Sequence, residues 1–332
     1  MKRFHCHCGG ELYFDNHRCL SCGDAVGFDP GIAAMVPLAD QEDLVYCNNW
    51  PTHGVCNWLL PQTGAQKLCF ACRFNRTIPN LELPENTRHW AALERAKKRL
   101  LYTLMGLGLP LLNGWQNPGR GLLFDFLDDA RTQPHHYPES FVASGFGAGV
   151  ITINVMEADQ VARTALQAQL RERYRTLLGH FRHESGHYYW SLLPVQDVAR
   201  LEFLEVFGDE RLDYKMALGR HYASGPSEDW HDDFISAYAS SHPSEDWAET
   251  WGHYLHIHEA LETAISHELL PPDTLARPFS ERVAAWQSLS VALNELNRSI
   301  GHEDVYPFVI SARVCTKLDF VDRVMDRLRT YC

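Results

Sequence analysis

The stretch Gly179-His180-Phe181-Arg182-His183-Glu184-Ser185-Gly186-His187 carries the most telling chemistry in this 332-residue chain. His183 and His187 are four positions apart, so on a helix they share one face and both imidazoles can reach a single metal ion. Glu184 is turned about a quarter-turn away, where its carboxylate can serve as general base toward a zinc-activated water. The surrounding periodicity supports a helix. Leu166, Leu170, Tyr174, Leu177, Leu178 and Phe181 recur at three- and four-residue steps toward Pro194. Glu157 and Asp159 supply acidic N-terminal signals, and the whole reads as one long helix with room for a single break.

Working outward, Val150-Ile151-Thr152-Ile153-Asn154-Val155 is rich in β-branched residues and predicts a strand. An edge strand able to pair with an extended peptide, followed by a ligand helix, is the order a zincin cleft requires. A third protein ligand is sought in the segment from Tyr238 to His253. Pro243, with Ser241 or His242 as cap, starts a helix there. Glu245 and Glu249 then lie one turn apart on one face. One can bind the metal while the other accepts a hydrogen bond from a ligand imidazole. Spacing alone permits either order, with Glu205, Asp209 and Glu210 as further candidates. His180, His221 and His253 read as ordinary histidines, and Tyr188-Tyr189-Trp190 as core.

Eight of the ten cysteines fall in the first 72 residues. Cys6-x-Cys8 with Cys19-x-x-Cys22 forms one cluster, and Cys47, Cys56 and Cys69-x-x-Cys72 form a second. Four thiolates converging from tight turns suit a tetrahedral zinc and leave no open position, so both sites are structural in kind. Gly9 and Gly23 follow the second cysteine of each pair in the first cluster, where a turn needs a backbone that side chains resist. A module this small requires such staples because it buries little apolar surface. Cys315 and Cys332 join no pattern.

The formal net charge is −12, which argues against a broad phosphate-binding surface. Arg73, Arg76 and Lys97-Lys98-Arg99 are the local basic candidates, and the last three read as the solvated face of a helix. That helix begins near Thr87 and carries Trp90, Leu93, Ala96 or Lys97, Leu100, Leu101 and Leu104 on its apolar stripe. Residues 106–149 hold many Gly and Pro and read as irregular. No apolar run approaches the roughly 18 residues that span a bilayer, and Leu100 to Leu112 reads as a buried helix and its exit. The N-terminus shows no apolar leader, so a cytoplasmic location and reduced, metal-binding thiols are expected.

His183–His187, Glu245-Asp246-Trp247-Ala248-Glu249 and Tyr238 resemble the gluzincins of the Mlc titration factor A and anthrax lethal factor type. In those proteins the first Glu of a similar helix is the third zinc ligand, and a Tyr seven residues before it stabilises the oxyanion. The resemblance implies His183, His187 and Glu245 as zinc ligands, Glu184 as base, Tyr238 as oxyanion donor and Glu249 behind an imidazole. Over nearly its full length, through the cysteine-rich start, Asn75-Arg76-Thr77-Ile78-Pro79 and Gly179–Glu184, the chain is also similar to bacterial zinc-ribbon metallopeptidases. The expected fold is α+β: a zinc-ribbon-like module over 1–80 with two four-cysteine sites, then a mainly helical gluzincin domain with a small sheet over 81–332. One catalytic and two structural zinc ions, a peptide or protein substrate, and neither membrane nor nucleic acid as partner complete the expectation. Two other classes stay open: an adaptor with a latent or degenerate peptidase domain, and a DNA-associated protease.

Overall fold

The computed structural model describes residues 1–131, 135, 137, 141–164 and 176–330. The chain divides into two compact units, residues 2–166 and residues 167–332 together with Met1. The periodic positions Leu166, Leu170 and Tyr174 lie outside the described residues.

The first unit opens with three two-stranded antiparallel sheets. Phe4–His5 pairs with Glu11–Leu12, Val26–Asp29 with Ala34–Pro37, and Leu44–Tyr46 with Leu59–Pro61. Gly9 and Gly23 adopt φ of 81° and 84°, and each donates its N–H at 2.9 Å to the carbonyl of Cys6 and Cys19 respectively. A side chain at either position would strain these turns. Edge-to-face contacts join Phe14 to Phe28, Trp58 and Tyr102, so an aromatic cluster supplies the core that the short strands cannot.

Tyr102 belongs to the helix Asn86–Gly106. Its Lys98 donates to Asn57 at 2.7 Å, and its Lys97 pairs with Glu94 at 2.9 Å with both side chains fully buried. The solvated face expected for Lys97-Lys98-Arg99 is therefore corrected at its first two positions. A lysine can be buried when a carboxylate or amide satisfies its ammonium. These contacts join the helix to the cysteine-rich segment within the unit of residues 2–166.

A four-stranded sheet follows, in the order Asn75–Thr77, Leu123–Leu127, Val150–Asn154, Gly145–Gly147. Two strands thus lie inside the stretch read as irregular. Val150–Asn154 is not an edge: it is parallel to Leu123–Leu127 on one side and antiparallel to Gly145–Gly147 on the other. Four of its five residues are buried, as an interior strand requires.

The second unit is helical. Leu177–Leu192 starts at Thr176, whose hydroxyl accepts the Gly179 N–H at 2.9 Å. Pro243–Ser266 starts at His242, whose ring accepts the Ser244 N–H, with Pro243 in the first turn. His242 rather than Ser241 is the cap. These two helices pack directly on each other. A Cβ on Gly186 would meet Ala248 Cα and Trp251 Cβ at 3.1 Å, and Trp247 Nε1 donates to the Gly186 carbonyl at 2.8 Å. Tyr189 stacks on Trp251 at 5.0 Å, so the aromatic run at 188–190 is core.

The C-terminal helix Ala312–Thr330 packs on the second of these helices. Its Lys317 ammonium donates at 2.6 Å both to Asp246 Oδ2 and to the Asp233 carbonyl, and the ion pair is buried. Removing one partner leaves the other charge stranded. Lys317→Met should therefore cost about 3–5 kcal/mol in urea unfolding, and Asp246→Asn added to it should recover part of that loss.

Candidate active site

The helix Leu177–Leu192 presents His183 and His187 one turn apart, and the helix Pro243–Ser266 presents Glu245 in its first turn. One donor atom from each of these three lies within 4.8 Å of the others. Glu245 Oε2 stands 3.0 Å from His183 Nε2, and Glu245 Oε1 stands 3.6 Å from His187 Nε2. Ligands about 2.0–2.1 Å from a tetrahedral zinc are about 3.3 Å apart, so two imidazoles and a carboxylate at these separations fit that ion. Burial opposes ionisation of Glu245, yet the two imidazoles hold its carboxyl well below the carboxylate range.

The other nitrogen of His183, Nδ1, lies 2.7 Å from Glu249 Oε1. Glu249 accepts a second hydrogen bond from the Ser236 hydroxyl at 2.6 Å. Burial works against the Glu249 charge, but the bond to His183 and the imidazole charge bring the carboxyl to about 2. A carboxylate on Nδ1 fixes the imidazole so that Nε2 points to the metal position. Glu245 thus groups with both Nε2 atoms, and Glu249 lies against the other nitrogen of His183.

Glu184 is buried, with Oε1 3.7 Å from His180 Nε2. Tyr238 lies in the 3-10 turn Tyr238–Ser241, its ring 6.0 Å from that of His183. Burial first, then the Glu245 charge, pushes the Tyr238 phenol far up, so it stays a hydrogen-bond donor. Sequence reasoning missed Tyr214, whose hydroxyl donates to Glu245 Oε1 at 2.9 Å. Ser236 was missed as well. No local pattern marks either, because each meets its partner only through the tertiary fold.

The remaining candidates lie outside this group. Glu210 accepts Trp190 Nε1 at 2.6 Å and pairs with Arg200, Asp209 pairs with Arg211, and Glu205 is exposed. His253 is buried with Nδ1 2.9 Å from the Tyr306 hydroxyl, and burial lowers it to about 4. His221 has its ring 6.2 Å from Tyr238.

In the other unit the eight cysteines form two groups, Cys6, Cys8, Cys19, Cys22 and Cys47, Cys56, Cys69, Cys72. The sulfurs stand 3.7 Å apart in Cys6–Cys22 and Cys8–Cys19, and 3.6 Å apart in Cys56–Cys69. Disulfide sulfurs are about 2.05 Å apart, whereas four sulfurs about 2.3 Å from one zinc are about 3.8 Å apart. The thiols are free and fit zinc. The Cys19 thiol falls to about 6, chiefly through the Cys22 N–H aimed at it. Beside the first group, exposed His7 lies 2.8 Å from both Asp24 and Asp40, a contact the sequence did not announce.

Residues 86–324 match the family described as "Putative zinc-binding metallo-peptidase", and the chain belongs to that family. Residues 3–83 match a zinc-ribbon domain. The chain is 43% identical over 342 residues to uncharacterized proteins of Mycobacterium tuberculosis and Mycobacterium bovis, covering 99% of this chain and 96% of each relative. No solved structure matches it. Among the described residues no helix is long and apolar enough to cross a membrane.

The close approach at Gly186 generates a prediction. A branched side chain there must push the two helices apart, because Ala248 and Trp251 already stand at contact distance. Gly186→Val should weaken metal retention at the histidine–glutamate group while the cysteine groups keep theirs, as measured by chelator titration. Equal retention at both would contradict the packing argument.

Proposed function

We propose that the protein is a zinc-dependent peptidase. Its catalytic ion is held by His183, His187 and Glu245, and two structural ions sit in the four-cysteine groups. The observation that carries this reading is the convergence of two Nε2 atoms and one carboxylate within 4.8 Å, with Glu184 following the first histidine. Zinc bound there would act as a Lewis acid, making water more acidic and polarising the substrate carbonyl. Glu184 takes the proton of the attacking water and passes it to the departing amine. Tyr238 donates its hydroxyl to the carbonyl oxygen as that oxygen gains negative charge. Glu249, fixed by Ser236, holds the His183 ring in the tautomer that frees Nε2. The substrate is a peptide or protein, as the family description suggests.

Three zinc ions per chain are expected from elemental analysis, and one or none would contradict the assignment. Glu184→Gln should retain all three while kcat on a cleaved peptide falls by at least about 100-fold, the scale of general acid–base catalysis. Wild-type turnover in that variant would remove Glu184 from its role. Glu245→Ala should release the third ion at chelator concentrations where Glu249→Ala still holds it, because a partner behind a ligand is worth about 10–100-fold. The reverse order of release would exchange the two glutamates.

A further inference from the structure

Tyr214 stands at this centre with no part yet assigned to it. It opens the helix Tyr214–Ser224 directly after Asp213, whose carboxylate caps the helix by accepting the Met216 N–H at 2.9 Å. Its hydroxyl donates to Glu245 Oε1 at 2.9 Å. The other oxygen, Oε2, stands 3.0 Å from His183 Nε2. Oε1 also stands 3.6 Å from His187 Nε2, so the phenol engages the oxygen on the His187 side, while Oε2 faces His183 at the shorter distance.

A second device holds Tyr214 in place. His242 Nδ1 accepts the Ser244 N–H at 3.1 Å, which leaves Nε2 as the protonated nitrogen, donating to the Leu212 carbonyl at 3.1 Å. The Tyr214 ring meets the His242 ring edge-on, with centroids 5.3 Å apart. One histidine thus caps the helix that carries Glu245 and anchors the segment that carries Tyr214. The phenol reaches the site with its register to Glu245 set from both sides.

We propose that Tyr214 is a positioning residue for the metal, restricting Glu245 to a single ligand oxygen. A carboxylate free to turn can chelate through both oxygens and fill the coordination position that water or substrate must enter. The hydrogen bond from Tyr214 occupies Oε1, directs Oε2 at the ion and keeps that position open. This inference rests on Glu245 being a ligand, and it assigns Tyr214 no contact with substrate. It separates the two phenols of the site, since Tyr238 works on the carbonyl oxygen and Tyr214 on the ligand.

The test is Tyr214→Phe in the full, zinc-loaded chain, with Tyr13→Phe, an exposed tyrosine of the other unit, as control and Glu245→Ala in parallel. Graded chelator competition should show the third zinc released from Tyr214→Phe at about 10–100-fold lower chelator than from wild type. The two cysteine-bound ions should hold as before. At saturating zinc, kcat should fall while KM stays near its wild-type value, and Tyr13→Phe should match wild type throughout. A Tyr214→Phe protein that melts lower yet releases zinc at the wild-type midpoint would have lost only packing, and the proposal would be overturned. If Glu245→Ala keeps the third zinc, the ligand reading itself fails. If Glu245→Ala loses it while Tyr214→Phe matches wild type, only the role of Tyr214 fails.

Discussion

The second unit depends on how closely two helix backbones approach at Gly186. His183 and His187 come from one helix and Glu245 from the other, so no short-range spacing can bring all three together. Their donors converge because Gly186 faces Ala248 without a Cβ between them. Trp247 and Trp251 then lock the pair, donating their indole N–H groups to the Gly186 carbonyl and the Ser185 hydroxyl. The two middle positions of the His-Glu-x-x-His motif are thus occupied by the helix-docking surface. The motif is a packing element as well as the carrier of the two histidines that face Glu245.

Around that crossing the protein buries several charges beside their partners. Arg182 pairs with Glu259 at 2.7 Å, Lys317 with Asp246, and His183 lies between Glu245 and Glu249. In the other unit Glu94 serves Lys97, Asn75 and Trp90 together. Isolated charges could not occupy such places, because desolvation would drive them neutral or unfold the site. The consequence for function is rigidity. On the proposed reading, a site whose imidazole is bonded to Glu249 and whose carboxylate is bonded to Tyr214 needs little reorganisation to accept a cation.

What could be read from the sequence was whatever acts over short range. The cysteine pairs, the histidines one turn apart, the Glu245–Glu249 step and the Pro243 helix start all express themselves within a few residues, and each corresponds to a feature of the fold. Tyr214, Ser236 and Lys317 were not readable, since each meets its partner across 13 to 71 residues of chain with no periodic signal. Leu123–Leu127 was hidden because its apolar run sits in a stretch dominated by glycine and proline. Val150–Asn154 was recognised as a strand but placed at an edge, although its nearly continuous burial marks an interior position. Lys98 looked solvated because its acceptor Asn57 lies 41 residues away; Lys97 has Glu94 one turn earlier on its own helix, and what local spacing does not show is that this pair is buried.

The most direct measurement is an anomalous difference map at the zinc edge from crystals of the full chain. The account predicts a peak bounded by His183 Nε2, His187 Nε2 and one oxygen of Glu245, distinct from two peaks inside the four-cysteine groups. Cysteine peaks without the third, or a third ion ligated by Glu249 in place of Glu245, would contradict it.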